Sequence, residues 1–236
     1  MTNLLIKLIY VVVVVTLTAC SNDEASKGDL ILTYEDSEPG VDVFTTRLLV
    51  NDNFLRMDDG VDDSSYTLYD RQSKIIYSVS HENQSILKLS SKKSTDRITR
   101  ELKMDAKKIT DATMPKVQGK TPAHYQLTVN DKVCATVISV KGLHEKATNA
   151  LNEFRRSLVS THLKNLANTP DEMQDECFLA HNVLSPSRTL QFGLPIFEED
   201  NNGVKRILVD YKDAVTTNAS LYILPTDYRY INRGSN

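Results

Sequence analysis

Three cysteines, five histidines and one loop of four aspartates are the side chains here whose types and spacing invite chemistry. Cys20 closes Leu17-Thr18-Ala19-Cys20, just after the valine run Val11 to Val15, and a thiolate is the one side chain there nucleophilic enough to be alkylated near neutral pH. Cys134 and Cys177 lie 43 residues apart, to be joined as a disulfide or kept as two buried free thiols, and without a C-x-x-C no thioredoxin-like redox role is suggested. Such a bond restricts the unfolded chain by about 4 kcal/mol in the chain-entropy account. His81, His124, His144, His162 and His181 form no H-E-x-x-H, and His162 falls on an apolar stripe as a boundary residue. Asp58, Asp59, Asp62 and Asp63 surround Gly60 with the hard oxygens calcium takes, but lack the alternate acids and terminal Glu of an EF-hand, so they read as a solvated turn. No G-x-S-x-G elbow, G-x-G-x-x-G or Walker pattern occurs. The expectation is a protein with no catalytic residues, no metal and no cofactor.

The chain ahead of Cys20 explains its position. The uninterrupted apolar stretch from Leu8 to Ala19 is too short to cross a bilayer, which needs roughly 20 such residues. With Lys7 before it and small residues at its end, it has the parts of a secretory signal. Leu17-Thr18-Ala19-Cys20 resembles the lipobox of bacterial lipoproteins. The resemblance implies a diacylglyceryl group on the Cys20 sulfur, cleavage before it and acylation, often by palmitate, of the new amino terminus. Two or more chains anchor a protein stably, at about 0.8 kcal/mol per buried methylene. The first partner implied is therefore membrane lipid, through acylated Cys20. Ser21, not Asp, follows, which in Gram-negative members implies the outer membrane, facing the periplasm. That compartment is oxidising, which favours the Cys134 to Cys177 bond.

Residues 1–19 thus read as a signal peptide, 20–29 as lipidated Cys and flexible tether, and 30–236 as a single α+β domain. "SNDEASKGD" has no large apolar group with which to fold. The full chain carries a net charge of −3, and losing the leader removes Lys7 and no acid. A mildly acidic chain without a basic stripe disfavours a nucleic-acid partner.

From Leu30 onward the pattern is period 2. "LILTY" and "VDVFTTRLLV" flank a Pro39-Gly40 turn, and residues 66–89 predict three short strands in a meander. "HYQLTV" and "KVCATVISV" predict a hairpin turning at Asn130-Asp131. Between 145 and 184 the spacing becomes three and four, with Ala147, Ala150, Leu151, Phe154 and Leu158 on one stripe. "TPDE" predicts a second helix capped by Thr169, with Pro170 next and Glu172 reaching back. "LPIFEED", "VKRILVDY" and "ASLYIL" predict three further strands. The fold class expected is α+β: a large, mostly antiparallel curved sheet, open and half-barrel-like, with a pair of helices packed on one face.

Tyr66, Tyr69, Tyr77 and Tyr125 sit on predicted strands and are amphipathic enough to line a ligand groove. The stretch "FLRMDDGVDDSSYTLYDRQSKIIYSV" is similar in layout to the early strands of periplasmic lipoprotein-carrier and receptor folds, with Asp59-Gly60 and Tyr69-Asp70 carrying the likeness. It implies an open half-barrel closed by helices and a lipid or envelope-protein partner. This chain differs in placing its helix pair late and in having no Trp. The expected function is a non-enzymatic envelope lipoprotein binding an apolar or amphipathic ligand or a partner protein. The alternatives are a structural or assembly-partner lipoprotein without a cavity, and an envelope hydrolase.

Overall fold

The computed structural model describes residues 28–90, 98, 100–110 and 114–232. The proposed leader and Cys20 lie outside these residues. The chain first lays down β1 (Asp29–Ser37), β2 (Phe44–Val50), β3 (Phe54–Asp58), β4 (Tyr66–Asp70), β5 (Ile75–Ser80) and β6 (Ser85–Ser90). It continues with β7 (Met104–Ile109), β8 (Ala123–Val129) and β9 (Lys132–Val140), and then α1 (Glu145–Leu166) and α2 (Glu176–Leu179). Last come β10 (Leu194–Asp200), β11 (Lys205–Val215) and β12 (Arg229–Asn232).

Among the described residues these strands form one open sheet, ordered β12-β6-β5-β4-β3-β2-β1-β11-β10-β9-β8-β7. Neighbours pair antiparallel, except that β12 runs parallel to β6. The architecture is α+β, a curved sheet not closed into a barrel, with helices on one face. No helix of the described residues is long and apolar enough to cross a membrane.

Period 2 decides which side chains meet the helices, because registered partners in an antiparallel ladder share a face. In β1, Leu30, Leu32, Tyr34 and Asp36 are all buried. Leu48 and Val50 of β2, Leu55 of β3, Tyr69 of β4 and Ile76 of β5 continue that row toward one edge. α1 lays Ala147, Ala150 and Leu151 into it, with Phe154 and Leu158 beside them, to make the main core. The Tyr69 ring meets Phe154 edge-on at 5.8 Å, and its hydroxyl pairs with Ser157 Oγ at 3.0 Å. Fully burying a side chain of this size stabilises by about 1.5–3 kcal/mol, so this seam dominates the energetics of the helix.

The opposite face of β3 to β6 is covered by the C-terminal segment 217–232. Tyr66, Leu68, Val79 and Ile86 pack there with Tyr222, Leu224 and Tyr228. Arg56 is anchored beneath that segment. Its guanidinium donates to Asp58 Oδ2 (2.7 Å), to the Leu221 carbonyl (2.7 Å) and to the Asp62 carbonyl (2.9 Å), and lies 3.8 Å from the centre of the Tyr66 ring.

Two predicted elements take other forms. The second helix does not start at Thr169: Asp171–Met173 is a single 3-10 turn preceded by Pro170, with no side-chain cap. The capping is done by Asp175, which accepts from the Cys177 and Phe178 amides and starts the one-turn α2. The chain then widens into a π-helical turn, Ala180–Leu184. "ASLYIL" is not a strand but the 3-10 turn Ala219–Tyr222, because Asn218 caps the Ser220 amide and curls the chain over Arg56.

Candidate functional site

A cleft of about 450 Å³ opens between the helix-facing side of β1, β10 and β11 and the segment that carries α2. Its floor is a row of charges. Asp36 registers with Arg206 and Arg206 with Glu198, so three ionic side chains stand abreast on adjacent strands. Arg206 grips Asp36 in a two-pronged hydrogen bond, Nε and Nη2 each at 2.7 Å, while Thr46 Oγ1 donates to the same carboxylate at 2.6 Å. From above, α1 lowers Arg155, which donates to both Glu198 oxygens at 3.3 and 3.2 Å and to the Thr189 hydroxyl.

These contacts set protonation. Burial pushes the Asp36 carboxyl up, but hydrogen bonds and charge from Arg206, helped by Thr46, leave it below the usual range. Burial likewise opposes ionisation of Glu198, and Arg155, Thr189 and Arg206 hold it low. Both floor carboxylates are anions near neutral pH, matched one to one by guanidiniums. A buried pair of this kind is worth little net until one partner is removed, when about 3–5 kcal/mol is lost. Tyr34 beneath them is pushed well above the ordinary phenol range, by burial first and then by Glu198.

The cleft also has apolar lining. Phe44 on β2, in register with Asp36, and Phe178 on α2 line the cleft with 42% and 36% of their surface exposed. Cys134 on β9 and Cys177 on α2 are joined as a disulfide with Cα atoms 5.2 Å apart, and the bond forms part of this lining. His181, one turn beyond Cys177, also lines it. Its Nε2 is buried without a partner, and burial, with Arg188 and Arg155 nearby, pulls the imidazole down to about 4.

The four tyrosines expected to line a groove are not brought together. Tyr66 and Tyr77 point to the face covered by the C-terminal segment. Tyr69 is fully buried under α1. Tyr125 stacks on Phe192 at 3.8 Å, in a separate cluster with Leu127, Ala135 and Val137. None of them lines the cleft. The aspartate loop is tied up in its own fold: Asp58 is gripped by Arg47 and Arg56, Asp62 pairs with Arg47, and Asp59 takes the Ser64 hydroxyl. Among the described residues no cluster of three or more His, Cys, Asp or Glu could hold a metal ion.

No known protein family and no curated protein matches this chain. Among solved structures, an uncharacterized conserved protein from Thermus thermophilus aligns with 88% of this chain and 91% of its own, at 10% identity and a TM-score of 0.46. PNGF-II in the C2 space group aligns with 88% of this chain at 11% identity and a TM-score of 0.40, this chain spanning 31% of its length. Likenesses this weak transfer nothing.

Sequence reasoning passed over the floor itself, although a signal exists. Asp36 continues the inward register Leu30, Leu32, Tyr34, and Arg155 follows Leu151 by four on the buried stripe of α1. A charge standing in an apolar register must find a partner or a use.

Proposed function

We propose that this chain is a lipid-anchored envelope protein whose cleft binds an amphipathic ligand without transforming it. The observation that carries the reading is the cleft itself: exposed Phe44 and Phe178 lining the same cleft as fixed ion pairs offer one ligand both apolar surface and oriented polar groups. The interior of the curved sheet, where a long acyl chain would lie in a half-barrel carrier, is filled by Leu151, Phe154 and Leu158 of α1. A ligand that inserts one ring or short chain while presenting a polar head fits the space better than a whole lipid. The floor carboxylates, held as anions by arginines, are suited to accepting hydrogen bonds and not to delivering protons.

The test uses the mature domain without residues 1–20 and a single-chain zwitterionic lysophospholipid below its micelle concentration. Native mass spectrometry is expected to show a one-to-one adduct that Phe178→Ala weakens at least tenfold. No adduct, or one indifferent to both Phe178→Ala and Phe44→Ala, overturns the reading. The assembly-partner alternative rests on Ile207 and Val209, 42% and 49% exposed on β11. It predicts co-purification of an envelope protein that Ile207→Lys abolishes.

A further inference from the structure

The cleft wall formed by residues 171–184 is made of short turns that bury Leu179, Ala180 and Val183 beneath them. It consists of a 3-10 turn, the four-residue α2 and one π-helical turn. Helices this short are unstable alone, and π-turns are rarely adopted without tertiary support. Toward the sheet, the segment is seated on a small cluster of Val129, Cys134, Cys177 and Ala180 with Leu102, separate from the main core under α1. Its polar ties converge on Glu176, which takes Asn130 Nδ2 at 3.1 Å and the Arg100 guanidinium at the surface. Surface pairs of that kind contribute little net stability. Toward α1, Phe178 meets His162 edge-on at 5.3 Å. Beyond the segment the chain is pinned again, where Arg188 donates to the Asp105 and Thr128 carbonyls. The disulfide is thus the one covalent tie between the middle of the segment and the sheet, and both its cysteines line the cleft.

We propose that residues 171–184 are a lid on the cleft, latched to β9 by the Cys134–Cys177 bond, and that a small dithiol entering the cleft releases the lid while the sheet and α1 stay folded. In that exchange the S–S bond breaks and its two sulfurs take up two electrons and two protons to become thiols. The dithiol gives up those electrons and protons and closes to its own disulfide. With the latch open, Phe178 and His181 move off the floor of Asp36, Arg206 and Glu198, and the cleft becomes an open groove. A small reductant is required because both cysteines are buried from bulk solvent.

The lid's role in gating rests on the cleft being the binding site, but the experiment contains no ligand, so the two readings fail separately. Amide hydrogen exchange is followed by mass spectrometry on the mature chain, oxidised and after treatment with dithiothreitol, with thiol titration reporting reduction. The expected result is at least tenfold faster exchange in peptides covering 174–186, with β1 to β6 and α1 unchanged. A bond that resists dithiothreitol in the folded protein overturns the proposal. So does reduction that leaves 174–186 protected, and so does acceleration across the whole domain. The doubly substituted Cys134→Ser, Cys177→Ser chain is expected to reproduce the reduced pattern; if it does not fold at all, the latch is a staple of the entire domain and the lid is wrong.

Discussion

His181 lines the cleft with its Nε2 buried and unpartnered. Its imidazole is neutral at pH 7 because burial, and then the positive charges of Arg188 and Arg155, disfavour the imidazolium, with Glu198 and Asp200 opposing weakly. The folded value, about 4, lies below the ordinary 6.5, so between these limits the unfolded chain binds the proton and the folded one does not. The stability associated with this group is therefore fully present above pH 6.5, falls as pH drops toward 4, and changes no further below that. The difference between 6.5 and about 4 corresponds to about 3 kcal/mol. His144 and His162, which burial also pulls down, act in the same window, whereas Asp36, Asp58 and Glu198 lose their contribution at lower pH. Urea unfolding of His181→Leu from pH 7 to 4 is expected to show a clearly flatter decline than the parent. Parallel declines would mean that the ring is solvated in solution.

At the scale of elements, legibility follows from how local the determinant is. The meander β4 to β6 is readable because alternation and turn residues are contiguous, and the hairpin β8 to β9 because Asn130 and Asp131 accept the positive φ, 48° and 65°, that its turn demands. The α1 stripe is readable for the same reason. What is not readable depends on partners distant in sequence. Thr169 loses the cap to Asp175, whose helix has the β9 cysteine to settle against, and "ASLYIL" becomes a turn because Arg56, more than 160 residues earlier, claims the Leu221 carbonyl. The tyrosines fail as a set because a period of 2 assigns Tyr66 and Tyr69 to opposite faces, a fact visible in the sequence, while which face stays open is decided by the C-terminal cover. Arg56→Ala tests that cover. It leaves Asp58 with Arg47 and the Gly60 amide, frees the Leu221 carbonyl and removes the cation from the Tyr66 ring. A loss of about 3–5 kcal/mol is expected, read as a Tm lower by roughly 10 °C. Limited proteolysis should cut first within 217–232. An unchanged cleavage pattern would show that the apolar stack of Tyr222 on Phe54 holds the segment unaided.

For the whole molecule, the direction of β1 links the proposed anchor to the cleft. β1 pairs with β11 from Asp29 opposite Val215 at one end to Ser37 opposite Lys205 at the other, and the cleft lies at the second end, around Asp36 and Arg206. The chain that would lead to a lipidated Cys20 leaves from the first. The strand Asp29–Ser37 separates the two ends by roughly 26 Å. Residues 20–27, even fully extended, reach at most about 28 Å. If β1 stands upright on the bilayer, the tether brings the cleft end to the membrane only by running taut along the full length of the sheet. With Cys20 anchored as proposed and β1 upright, the cleft faces the aqueous space beyond the membrane, and a ligand of the proposed kind would reach it from water. Adding twelve Gly and Ser residues after Ser21 removes the restriction, because a flexible chain of that length reaches both surfaces of the domain. Anchored on vesicles, the parent and the extended chain are expected to bind a water-soluble amphiphile with the same Kd, while only the extended chain takes up an amphiphile supplied within its own bilayer at an appreciable rate. Equal uptake from the bilayer by the two chains would place the cleft at the membrane surface and reverse this orientation.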